Sequence, residues 1–148
     1  MTAEDDRFAA RAMDVYTSFR TLPRWVQIWV MGVLFPINIA AVLIWFATGH
    51  PLAQWTGLAA LFVGCVNAYI TLTERGVSRL TSVPHLPVWI PAQILAVLWL
   101  IGDAPMSLGM TVFALIYAVT IGISNLFDIF DTWRWIRGDR SVAGASGG

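Results

Sequence analysis

Apolar residues along this chain do not alternate with polar ones. They run together in four stretches, at roughly 25–48, 52–72, 83–101 and 107–130. Each is close to the roughly 20 residues, at about 1.5 Å apiece, that carry an α-helix across hydrocarbon. Backbone groups in lipid have no water to bond, and a helix satisfies them within one segment. The pattern therefore predicts an all-α, polytopic membrane protein with four transmembrane helices.

Ahead of the first run the pattern changes. Phe8, Ala12, Val15 and Phe19 recur at helical spacing, Thr2 is placed to cap, and Arg7, Arg11 and Asp14 lie at pairing distances on the polar side. This predicts a short amphipathic helix on the membrane surface within 1–24, before Pro23 turns the chain into the bilayer. Glu4, Asp5 and Asp6 are acidic where a signal peptide is basic, and the apolar run begins too late for one. The expected organisation is an N-terminal segment (1–24), a first transmembrane hairpin (25–72), a loop (73–86), a second hairpin (87–130) and a tail (131–148). Residues 141–148 are small, polar and glycine-rich, and disorder is expected there.

Composition and charge add location. At 57% hydrophobic and 12% charged, a chain of 148 residues cannot bury its apolar surface in a soluble fold. The lipid bilayer is its first partner, and no nucleic-acid partner is expected. All nine cations are arginines, and they flank the runs on one side: Arg7, Arg11, Arg20 and Arg24, then Arg75 and Arg79, then Arg134, Arg137 and Arg140. The positive-inside rule then predicts an inner (cytoplasmic) membrane protein with both termini cytoplasmic, and with His50 and Asp103 in outer turns. Trp25, Trp29, Trp45, Trp55, Trp89, Trp99, Trp133 and Trp135 cluster toward span ends, as an interfacial aromatic belt does.

Two stretches resemble each other. PINIAAVLIW at 36–45 matches PAQILAVLWL at 91–100, aligning Pro36 with Pro91 and Asn38 with Gln93. Each is followed by a turn and then a helix with Gly64-x-x-Asn67 or Gly122-x-x-Asn125. The order suggests two similar hairpins entering from the same side, a parallel repeat.

The matched positions are the candidate chemistry. Pro36, Pro87 and Pro91 are expected helix breaks, and Pro36 and Pro91 deprive the carbonyls of Gly32 and Pro87 of their usual partners. Irregular backbone in a membrane is tolerated only when covered by protein or lining a wet cavity. Asn38, Asn67, Gln93 and Asn125 are therefore read either as interhelical glue or as the polar lining of a path. Ala60, Gly64 and Ala68, like Ala114, Ala118 and Gly122, repeat at a spacing of four and predict close helix contacts. Cys65 alone forms no intrachain disulfide and reads as a small packing residue.

Ionisable residues gather only at the arginine side. Arg75, Arg79, His85, Asp128 and Asp131 form a candidate interface cluster, best explained as carboxylates pairing with arginines rather than as a cation site. His50 and His85 are expected on opposite faces, so they cannot share a metal or haem. No nucleophile has a plausible base and no glycine loop cradles a phosphate. The expectation is no enzyme, no cofactor and no metal. It is instead an interaction or accessory subunit of a membrane assembly, working with other membrane subunits or with itself, the alternative being a small oligomeric channel or carrier for a small solute.

Overall fold

The computed structural model describes residues 3–103 and 105–145, and among these every regular element is helical. A first helix, α1 (Ala3–Thr21), precedes four that are apolar along their length: α2 (Arg24–Thr48), α3 (Pro51–Glu74), α4 (Leu86–Ile101) and α5 (Leu108–Ile136). A 3₁₀ turn, Arg79–Ser82, leads into α4 and lengthens that crossing to Arg79–Ile101. All four are long and apolar enough to span a bilayer, as a multi-pass membrane protein requires.

Local chemistry sets each boundary. Within α2, Val30–Leu34 is a π-helical turn in which the Phe35 amide donates to the Val30 carbonyl, five residues back. It immediately precedes Pro36, whose missing N–H breaks the regular ladder there. His50 caps α3, its Nδ1 accepting from the Leu52 amide, and Pro51 occupies the first turn, where its lack of an N–H costs nothing. The α3 helix ends with Arg75 in the left-handed region at φ 56°, and the Gly76 amide returns to the Thr71 carbonyl. Pro87 lies in the first turn of α4 and Pro91 inside it. Ser107 caps α5 through the Met110 amide.

The α5 helix is the axis of the molecule, burying residues along one face from Met110 to Asp128. Its Tyr117 and Ile121, with Leu52 and Thr56 of α3, are the largest fully buried side chains. Ala41, Ala53, Ala96 and Ala114 close the space between them, so most of the core lies in the half of the bundle away from the arginines, with Trp89 buried at the other end. Leu126, Phe46 and Ile101 are among the large apolar side chains left exposed, as surfaces facing acyl chains are.

Several expectations need correction. Cys65 is exposed on the outside of α3 rather than packed between helices. The last helix runs to Ile136, past the expected end at 130, because Trp133 and Trp135 continue its amphipathic surface beneath the arginines. Residues 141–145, expected to be disordered, fold back. Val142 bridges to Ser78, and the Ala143 amide donates to the Val77 carbonyl at 2.8 Å. Composition predicted disorder from few apolar groups, but these residues are held mostly by backbone hydrogen bonds, which composition does not record. Thr2 and the last three residues, 146–148, lie outside the described residues.

Candidate functional site: a side-open cavity with one polar end

The first hairpin splays. Near the turn at His50, α2 and α3 cross closely: a Cβ on Gly57 would meet the Ala41 carbonyl oxygen at 3.3 Å and the Val42 Cα at 3.4 Å. Toward the arginine end the helices separate, and a cavity of about 820 Å³ opens between them. Its lining reaches Leu43 on α2 and Ala60 on α3, where the crossing begins, and extends back to Trp25, Trp29, Ser124, Phe127 and Asp128. Phe35 and Ile39 of α2, and Leu61 and Gly64 of α3, both line the cavity and are exposed, so it opens sideways to the surrounding hydrocarbon. On its other flank α2 is tied to α5. The Trp29 indole donates to Ser124 at 3.3 Å and Trp25 lies 5.8 Å from the Phe127 ring.

Gly64 thus stands at the open gap. A Cβ there would meet nothing within 4 Å, so the close helix contact expected at Gly64 is absent, and the contact occurs two turns away at Gly57. The corresponding place in the second hairpin is filled. A Cβ on Gly122 would fall 2.5 Å from Gln93 Nε2. That nitrogen donates to the Ala118 carbonyl at 3.3 Å, and Gln93 Oε1 accepts from Asn125 Nδ2 at 2.8 Å. Gln93 therefore occupies the space between α4 and α5. Its counterpart Asn38 is one methylene shorter and bonds its own helix, Nδ2 to the Leu34 carbonyl at 2.7 Å. The two amides aligned in sequence have different fates, and the cavity lies where the shorter one leaves a gap.

The polar end is built by three elements. His85, at the start of α4, places Nδ1 2.9 Å from Asp128 Oδ2 of α5 and Nε2 2.6 Å from Asn67 Nδ2 of α3. The Asn67 amide and the Asp128 carboxylate thus hold the two ring nitrogens of His85 from two different helices. Trp89, one turn on, stacks over the ring at 4.1 Å. It is buried rather than interfacial, which corrects its place in the expected aromatic belt.

Beyond this end lies an ionic network. Arg79 pairs with Asp131 and with Asp139, the latter at 2.9 Å, and Arg134 also pairs with Asp139 at 2.6 Å. The hydrogen bond from Ser141, then that from Arg79, holds the Asp139 carboxyl well below the usual carboxylate range. The α1 helix covers the same end. Ser18 is buried, donates to the Ala143 carbonyl at 2.6 Å and accepts from the Val77 amide at 2.9 Å. Asp14 pairs with Arg75 at 2.7 Å. Val15 and Phe19 of α1, with Ser141 and Ala143 of the tail, line the cavity and form its floor on the arginine side.

Of the expected five-residue cluster, four meet: His85 with Asp128, and Arg79 with Asp131. Arg75 is drawn away to α1. Asn38 and Asn67 line the cavity, whereas Gln93 and Asn125 bind each other outside it. Pro36, Pro87 and Pro91 are absent from its lining. His50 sits at the opposite end, its ring 4.7 Å from Trp99. Among the described residues, no group of three or more His, Cys, Asp or Glu is placed to hold a metal ion. Sequence reasoning passed over Gly57, Ser18 and Asp139, and placed Trp89 only in the aromatic belt. Asp139 had a usable signal, an acid two residues after one arginine and one before another in an otherwise basic tail. The role of Ser18 had none, since its partners are backbone atoms far along the chain. Comparison with known protein families, curated proteins and solved structures finds no match.

Proposed function

We propose that this chain is a non-catalytic inner-membrane protein that holds an amphipathic, lipid-like molecule in its side-open cavity, and that it serves as an accessory subunit of a membrane assembly in that capacity. The observation that carries the reading is the cavity itself: about 820 Å³, within the range of specific ligand sites, walled mostly by apolar side chains and with its ionisable groups at one end only. A soluble ligand would have to cross lipid to reach its side opening, whereas a lipid-like one is already dissolved there.

The arginine-rich end is assigned to the cytoplasm on the positive-inside rule. On this reading α1 rests on the inner leaflet, where its exposed Phe8, Met13 and Tyr16 meet the headgroup region. The two hairpins are read as a parallel repeat whose first copy opened a cavity where the second is plugged by Gln93. A channel through one chain finds less support, because on α3 the cavity lining stops at Ala60, short of Gly57, whose close contact with Ala41 and Val42 brings the two helices together.

The test is lipid analysis of protein purified in mild detergent. The parent should carry an amphiphile enriched over the bulk membrane extract, and Gly64→Leu should lose it while remaining folded, since that side chain grows into open space. A lipid profile identical to bulk in both proteins would overturn the binding role. Cysteines introduced at Glu4 and His50 should label from opposite sides of the membrane, with Glu4 inside, and the reverse would overturn the orientation.

A further inference from the structure

Resting on the cavity as a ligand site, we infer that the ligand's head group is cationic, an ammonium borne on an apolar chain. Charge at the polar end is the starting point. Among the described residues lining the cavity, the only arginine is Arg79, and two carboxylates already engage it. Arg79 and Arg134 together balance Asp131 and Asp139, so that network is neutral and offers no free cation to a phosphate or a carboxylate head.

Asp128 is left over. Its partner is the His85 imidazole, with Nδ1 at 2.9 Å, and among the described residues no arginine pairs with it, so of the two carboxylates in the cavity lining it is the one that no arginine holds. Its side chain keeps 11% of its surface accessible, and the residue lines the cavity. A carboxylate at membrane depth without a cation is costly, and such residues pair or bind an ion. The walls of the same cavity carry the rings of Trp25, Trp29, Phe19 and Phe127. Aromatic rings and a carboxylate in one cavity suit an ammonium, which gains from both. A quinone carbonyl or a phosphate brings only acceptors and would face the acid unfavourably, and an alcohol would bond it without cancelling its charge.

The experiment uses the full chain in maltoside micelles and three probes that share a tail and differ in head: decylammonium, decanol and decyl phosphate, titrated against intrinsic tryptophan fluorescence. The ammonium should bind about ten-fold tighter than the alcohol, with the phosphate weakest. Asp128→Asn, which keeps an acceptor for His85 Nδ1, should bring the ammonium to within about three-fold of the alcohol at an unchanged melting temperature. Asp128→Glu, which restores the charge, should recover part of the preference and covers the case in which the asparagine variant fails to fold. Equal constants for the three heads, or a preference for the phosphate or the alcohol, would overturn the cationic head while leaving the cavity as a ligand site. Saturable binding by none of the three in the parent would overturn the ligand site itself.

Discussion

Replacing Gly122 by alanine adds one methyl group, and the structure says what that methyl displaces. It would lie 2.5 Å from Gln93 Nε2, well inside contact distance, so the Gln93 side chain must move. Moving it gives up the bond from Nε2 to the Ala118 carbonyl and the bond from Asn125 to Oε1. Interhelical hydrogen bonds in membranes average about 0.6 kcal/mol and reach about 1.7, so losing both costs about 1 to 3 kcal/mol. Helix propensity favours alanine over glycine by about 1 kcal/mol, which leaves a net loss of zero to about 2 kcal/mol. Gly64→Ala is the internal control. It gains the same propensity, meets nothing within 4 Å and should stabilise slightly. The difference between the two variants cancels propensity and should be about 1 to 3 kcal/mol, measured by reversible unfolding in mixed micelles with rising anionic detergent and circular dichroism. In a Gln93→Ala background the penalty at Gly122 should vanish, because the obstructing amide is gone. Equal effects at Gly122 and Gly64, or a Gly122 penalty that persists without Gln93, would refute the assignment of Gln93 as the plug of the second hairpin.

Two further outcomes follow from other contacts. Gly57→Leu should cost about 2 kcal/mol or more, since the added atoms meet the backbone of α2 at Ala41 and Val42, which cannot rotate away, and the same unfolding assay reads it. The C-terminal fold-back should be acid-sensitive. Asp139 has a depressed folded pKa, so its contribution is complete above the ordinary carboxylate range near pH 4 and is lost as pH falls through the lower folded value. Limited proteolysis at the tail should therefore quicken only below about pH 4, and Asp139→Asn should be cut readily at neutral pH and show no such onset. Cleavage of the parent that does not change with acid would remove the carboxylate from the mechanism of docking.

The number and approximate extent of the candidate crossings were legible from sequence because hydrocarbon imposes them segment by segment. An apolar run long enough to span must be a helix whatever its neighbours do, and the arginines mark one end of each run without reference to packing. The aligned pairs Pro36 with Pro91 and Asn38 with Gln93 were visible for the same reason, as was the gathering of acids at the arginine end. What each of these residues touches was decided only by the tertiary structure. Gly64 and Gly122 each stand three residues before an asparagine, yet one faces a gap and the other a side chain, because Gln93 reaches across from α4 to α5 beside Gly122 while Asn38 bonds its own helix. His85 and Asp128 are 43 residues apart and bond only because α5 runs past the start of α4. Likewise the tail folds back through the backbone of Val77 and Ala143, atoms that every sequence possesses and that no side-chain pattern can single out.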